Sequence, residues 1–151
     1  MANFERRTSG DILACDVEAI VNPVNTQGVM GMGLAQQVKA RFPEVFSVYA
    51  KACRAGEVSI GRVHVVDRGT AKPRYLINFP TKDKFRNKSE MVFVETGLAD
   101  LATVIAARAI PSIAIPALGC GLGGLRWIDV WPAIVLALEH LECRIVIFEP
   151  R

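Results

Sequence analysis

What the chain lacks narrows it first. Its 151 residues hold two histidines and four cysteines, and no two cysteines form a C-x-x-C pair. Cys15, Cys53, Cys120 and Cys143 are scattered among apolar neighbours, with only His64 and His140 to join them. This argues against a zinc site and a disulfide scaffold, and for buried thiols in a reduced, cytoplasmic protein. No long apolar run is present. One charge-free segment, Ala109 to Leu125, is interrupted by two prolines and four glycines. It falls short of the roughly 20 apolar residues that span a membrane. The opening Met1-Ala-Asn-Phe-Glu-Arg-Arg7 has no apolar signal-peptide core. Repeats, low-complexity segments and linkers are also missing. The net charge of +3 permits an anionic partner without demanding one.

What remains is 51% hydrophobic and 22% charged, the balance of one globular domain with a full core. Its centre is Ile113 to Trp127. There a short apolar run meets Pro116 and then a loop holding Gly119, Gly121, Gly123 and Gly124, before Trp127-Ile128-Asp129 opens a helix. Glycines let backbone N–H groups turn toward an anion, and the next helix adds its positive dipole end. No Lys-Ser or Lys-Thr follows, so this is not a P-loop, and the spacing is not that of G-x-G-x-x-G. A glycine-rich turn with no ligand is the plainer alternative.

Phe4 to Thr8 reads as an edge strand, and Ser9-Gly10-Asp11 as a turn. Ala19-Ile20-Val21 is a buried strand that Pro23 should end. Asn22, Asn25 and Thr26 then gather at its C-terminal end, where α/β folds bind ligands. Leu34, Val38 and Phe42 predict a helix that Pro43 breaks, and Val45, Phe46 and Tyr49 a second helix ending near Gly56. Arg62–Asp67 and Arg74–Phe79 are strands, the latter closed by Pro80. Ser89 reads as the N-cap of a long helix through Ile105. Ser112–Pro116 is the strand entering the glycine loop. Trp127 to His140 is a helix with Pro132 in its first turn, and Cys143–Phe148 is a last buried strand. Strands alternating with helices predict an α/β class, three-layer α/β/α, with a largely parallel sheet covered on both faces.

Four segments taken together, Gly10-Asp-Ile12, Asn22-Pro-Val-Asn-Thr26, Gly31-Met-Gly-Leu-Ala35 and Gly119-Cys-Gly-Leu-Gly-Gly124, resemble a macrodomain, the ADP-ribose-binding module, over essentially the whole chain. Within that family the similarity is to the antitoxin branch, DarG. It is carried by Gly28 to Pro43, Asn78-Phe-Pro-Thr-Lys82 and Gly119 to Trp127. The resemblance implies a mixed, largely parallel sheet and a single macrodomain over residues 1–151. DarG proteins carry a further C-terminal region, so it also implies truncation from a longer chain. It implies a DNA ADP-ribosyl glycohydrolase that removes ADP-ribose from thymidine in single-stranded DNA. The partners implied are ADP-ribose, ADP-ribosylated single-stranded DNA and a cognate ADP-ribosyltransferase toxin, with no membrane. No cofactor or metal is implied, because ADP-ribose is the substrate moiety.

The same resemblance assigns roles. Lys82 is the catalytic lysine. Asp11 accepts from the adenine amino group, the Ile12 backbone places the ring, and Phe148 packs near it. Asn22, Asn25 and Thr26 hold the distal ribose beside Gly31, Gly33 and Leu34. Pro116 and Leu118 lead into a loop in which Gly119, Cys120, Gly121, Leu122 and Gly123 wrap the diphosphate. Gly123 stands where the related human terminal ADP-ribose glycohydrolase carries an Asp, and Met30-Gly-Met-Gly33 replaces the acidic, triple-glycine pattern of deacetylase-type macrodomains.

Each assignment has a plainer counterpart. Asp11, Asn22 and Asn25 are turn formers, and Met30 and Met32 are flexible packing. Trp127 and Trp131, four apart on one helix, are core. Cys120 is a small residue that lets the backbone close rather than a nucleophile, since no histidine is near in sequence. Lys82 shares a polar loop with Lys84, Phe85, Arg86 and Lys88. That loop is a solvated basic face, a nucleic-acid contact with Phe85 stacking on a base, or the seat of a reactive lysine. Three functions fit: the DNA glycohydrolase, a reader that binds ADP-ribose without catalysis, and a hydrolase of ADP-ribosyl-glutamate esters on proteins. Lys82 either attacks C1″ or protonates the leaving base.

Overall fold

Apolar residues alternate along the strands so that each strand feeds two layers. The computed structural model describes residues 1–151. In chain order it forms β1 (Asn3–Arg7), β2 (Ala19–Asn25), α1 (Gly33–Arg41), α2 (Pro43–Arg54), β3 (His64–Asp67), β4 (Tyr75–Lys82), α3 (Met91–Arg108), β5 (Ser112–Pro116), α4 (Trp127–Leu138) and β6 (Arg144–Phe148). One sheet runs in the order β1-β6-β5-β2-β4-β3. All pairings are parallel except β3 with β4.

Ala19 and Val21 pack with Leu98 and Ile105 of α3 and Val130 and Ile134 of α4. Ile20 and Val24 face the other way, toward Val38 of α1 and Val45 and Tyr49 of α2. This gives the three layers. A Cβ at Gly97 of α3 would collide with the Phe79 ring, so helix and sheet meet there without a side chain between them.

β2 sends its chain to the α1/α2 layer, and β5 sends its chain to the α4 layer. The crevice between these strands is therefore a topological switch point, where open α/β sheets bind ligands. It is also open: β2 pairs with β5 only at Ala19 and Ile20.

Five local expectations are corrected. β2 runs through Pro23 to Asn25, because the β5-facing edge is unpaired there and a missing N–H costs no ladder bond. β4 likewise passes Pro80 and ends at Lys82. The cap of α3 is Glu90, with no side-chain cap bond. Pro132 sits inside α4 rather than in its first turn, on an exposed face. Trp127 and Trp131 are only half-buried at the margin of the core.

Candidate active site

Three loops leave the C-terminal ends of β2, β4 and β5 and enclose a cleft of about 320 Å³. Its walls are Pro23, Val24 and Asn25 from β2, Val29 and Gly31 to Ala35 from the turn into α1, Thr81, Lys82 and Phe85 from β4 and its loop, and Ala117, Gly119, Gly121, Leu122 and Gly123 from the glycine loop. Lys82 is the one ionisable side chain among them.

The glycine loop is folded by its own backbone. Leu125 N–H donates to the Gly119 carbonyl at 2.9 Å, and Gly124 N–H to that of Gly121 at 3.2 Å. The N–H groups of Gly119, Gly121, Leu122 and Gly123 have no acceptor in the chain. Orphan amides on one loop, followed by the N-terminus of α4, can take an anion. Gly119 needs its glycine for a φ of 71°. Gly123 needs its own for space: a Cβ there would strike the Ser89 hydroxyl and approach the Gly119 carbonyl to 2.5 Å.

Ser89 is therefore the wedge under this loop. It is 6% exposed, its N–H donates to the Gly123 carbonyl at 3.0 Å, and its Oγ has no partner. Its hydroxyl was expected to cap α3, but the side chain is spent beneath the glycines instead.

Lys82 ends β4 opposite Asn25. Its Nζ donates to the Phe85 carbonyl at 3.4 Å, and no carboxylate pairs with it. The loop beyond is tied back to the β2 turn. Thr26 Oγ1 donates to the Asp83 carbonyl at 2.7 Å and to its carboxylate at 3.0 Å, and Phe85 N–H donates to Gln27 Oε1 at 2.9 Å. Lys84, Arg86 and Lys88 are exposed and without carboxylate partners. The Arg86 guanidinium lies 5.2 Å from the Phe85 ring centre.

Asn25 meets the cleft, but its amide is committed to shaping the turn. Oδ1 accepts from Gln27 N–H at 2.9 Å and from Tyr49 Oη at 2.9 Å, and Nδ2 donates to the Val29 carbonyl at 2.9 Å. Asn22 does not reach the cleft wall. It is fully buried, donating to Asn78 Oδ1 at 3.1 Å, and its own Oδ1 has no partner. Asn22 pairs with Asn78 within the β2–β4 ladder, one residue short of the opening that Pro23, Val24 and Asn25 line. Thr26 is likewise held on Asp83 rather than in the cleft. Pro116 and fully buried Leu118 support the glycine loop from behind.

Cys120 also stands behind the wall. Burial pushes its thiol above the ordinary value, which opposes a nucleophilic role. His64 is half-buried against Asn78, and burial lowers its pKa.

The remaining predicted residues form a separate end. Ile12, Leu34, Ala35 and Phe148 belong to one apolar cluster, and Leu34 and Ala35 continue it into the cleft. Asp11 accepts from Leu13 N–H at 2.9 Å and from Arg41 at 3.0 Å. Partial desolvation raises its pKa, but the Leu13 N–H and Arg41 outweigh it and hold the carboxyl below its ordinary value. Residues missed from sequence are Ser89, Gln27, Thr81, Val29 and Met32. Of the two methionines read as packing, Met30 is buried and Met32 is 65% exposed on the cleft rim. No cluster of three His, Cys, Asp or Glu side chains could hold a metal, and no helix is long and apolar enough to cross a membrane.

Known proteins share this fold. A DNA ADP-ribosyl glycohydrolase of Thermus aquaticus is 50% identical over 147 residues, which are 96% of this chain and 41% of that protein. The chain thus spans about two fifths of the curated relatives it matches. The solved macrodomain of Mycobacterium tuberculosis DarG superposes with a TM-score of 0.94 at 46% identity, covering 100% of this chain and 99% of that one. The solved Thermosipho africanus DarTG in complex with ADP-ribose gives 0.92 at 35% identity, covering 98% of this chain and 42% of that one. The Macro domain family model matches residues 21–134, a span that holds the β2 turn, Lys82 and the glycine loop, and the chain belongs to the macrodomain family.

Proposed function

We propose that the chain is an ADP-ribosyl glycohydrolase that removes ADP-ribose from thymidine in single-stranded DNA, acting in the cytoplasm as antitoxin to a DNA ADP-ribosyltransferase. The observation that carries this is Lys82: an unpaired amine, the one ionisable group on a cleft whose opposite wall is a loop of free backbone N–H groups. Relatives named for the activity support it, as does the Thermosipho africanus protein, named as a fusion of DNA ADP-ribosyl transferase and glycohydrolase.

In this reading the diphosphate lies on the glycine loop, with Gly119, Gly121, Leu122 and Gly123 as N–H donors. Adenine extends toward Asp11, Ile12 and Phe148. The distal ribose sits by Asn25 and the Gly31 to Gly33 turn, and its C1″ faces Lys82. Hydrolysis breaks the bond from C1″ to the base. The bonding pair leaves with the base, water oxygen bonds to C1″, and a proton ends on the base. Lys82 serves in one of two ways. As an ammonium it protonates the departing base. As a neutral amine it attacks C1″, and water then releases the sugar. Borohydride reduction during turnover traps a lysine adduct only in the second route.

Lys84, Phe85, Arg86 and Lys88 would hold the strand, the cations on phosphates and the ring on a base. A second reading has its own support. No carboxylate lines the cleft to activate water, and Ser89 fills the space one would need at position 123, which suits a reader that binds ADP-ribose without cleaving it.

The test is a release assay with two labelled substrates, a single-stranded oligonucleotide carrying ADP-ribose on thymidine and a protein carrying it on glutamate. Release from the DNA is expected. Release only from the protein would make the chain an ester hydrolase, and binding of ADP-ribose with release from neither would make it a reader.

A further inference from the structure

The proposed roles leave a set of exposed apolar side chains unexplained. Met1, Val48, Val92, Ile128 and Leu136 lie outside the cleft, on the N-terminus, α2, α3 and α4. Val29 (39% exposed), Met32 (65%), Phe85 (43%) and Leu122 (64%) all line the cleft. They come from three segments: the turn into α1, the basic loop after β4 and the glycine loop. Apolar groups that converge in solvent mark a contact site.

ADP-ribose does not account for them. Its diphosphate and riboses call for donors, which the glycine loop supplies. Its flat apolar part, adenine, has the separate cluster of Ile12, Leu34 and Phe148. The four exposed residues instead share the cleft with Lys82, whose Nζ donates to the Phe85 carbonyl at 3.4 Å. Whatever they hold sits beside the bond under attack. Its neighbours must be anionic, because Lys84 and Arg86 flank Phe85 without carboxylate partners, and the Arg86 guanidinium lies over the Phe85 ring. A glutamate side chain on a polypeptide has neither a flat face nor a row of phosphates. A base in a single strand has both.

We propose that Val29, Met32, Phe85 and Leu122 form a collar that grips the nucleobase to which ADP-ribose is attached, with the flanking phosphodiesters on Lys84 and Arg86. This rests on the glycohydrolase reading above. None of the four offers a side-chain hydrogen bond, so the collar holds a base by its faces rather than reading its edge. It selects nucleic acid over protein conjugates and is indifferent to flanking sequence.

The variant to make is Val29→Ser, an exposed position outside the glycine loop, the basic loop and the Gly31 to Gly33 turn. KM and kcat are measured on an ADP-ribosylated single-stranded oligonucleotide, and Kd on free ADP-ribose. KM should rise about fivefold, with kcat and the ADP-ribose Kd moving by less than about twofold, the size expected for loss of one apolar side chain's contact. Val29→Ile should keep the wild-type KM. An unchanged KM overturns the collar, and so does an ADP-ribose Kd that rises in step with KM. If wild type releases nothing from the conjugate, the glycohydrolase reading fails, and the collar is then judged by binding alone. Wild type saturated with ADP-ribose should hold an unmodified single-stranded oligonucleotide about fivefold more tightly than Val29→Ser does. Equal affinities overturn it.

Discussion

The two ends of the cleft use charge in opposite ways. Near β6 the charges are already paired: Asp11 with Arg41, and Arg6 with Glu149, which also accepts from Trp127 Nε1 at 3.1 Å. Near the end of β4, Lys82, Lys84, Arg86 and Lys88 have no carboxylate partner. Pairing fixes geometry, so the first end suits recognition of one constant group. Free cations can follow a variable anionic partner or a developing charge, which suits the end where a bond is broken. The difference locates chemistry where electrostatic demand is unmet, rather than where polar residues are most numerous.

The strongest way to break this division is Lys82→Ala. Turnover should fall by on the order of a hundredfold to ten-thousandfold, the range for a removed acid or base. The ADP-ribose Kd, measured by calorimetry, should barely move. If affinity collapsed together with turnover, the two ends would be one unit.

The next effect isolates the wall between them. Gly121→Ala meets nothing within 4 Å, whereas Gly123→Ala drives a Cβ into Ser89 and the Gly119 carbonyl. Overpacking of that kind costs roughly 1–3 kcal/mol. Only the second substitution should weaken ADP-ribose binding by that order, and a Ser89→Gly background should recover part of the loss. Equal effects from both would mean that Ser89 does not shape the anion site.

A smaller effect tests the paired end. The Asp11 carboxyl is held below its ordinary 3.8, so it remains a charged acceptor at every pH above that. As pH falls through the folded value a proton binds and the acceptor is lost; the stability it lends follows the same direction. Affinity for ADP-ribose should be flat from about pH 8 to 5 and decline below pH 4. Asp11→Ala should cost about fivefold at neutral pH, modest because the group is partly exposed. A decline centred near pH 6 would point to a different group.

Much of this was legible in the sequence. Unbroken apolar runs at Ala19–Val21 and Ile113–Ile115 and helical spacing in Val94 to Ile105 predict the layers, because a short run apolar on both faces marks a buried strand and apolar periodicity a packed helix. The glycine loop and Lys82 stand out by residue type. Ser89 does not. Its place under Gly123 depends on two segments brought together by the sheet, and a serine before a helix reads as a cap. Asn22 looked like Asn25, because parity on a strand whose end is misjudged at Pro23 gives no reliable facing. Met32 looked like Met30, since spacing two apart on a glycine turn does not say which one is buried.

A salt titration sharpens the charge contrast most directly. Each phosphate neutralised on a single strand contributes a slope of about 0.7 in log Kd against log salt. If Lys84, Arg86 and Lys88 each hold one, the triple alanine variant should lower that slope for an unmodified single-stranded oligonucleotide by about 2. The slope is the quantity to read, because a packing defect in the loop would shift affinity at all salt concentrations alike. The slope for free ADP-ribose should be the same in both proteins, since its diphosphate is held by backbone amides. An oligonucleotide slope unchanged by the substitutions would leave the basic loop as a solvated face, and the cations' lack of partners would carry no functional meaning.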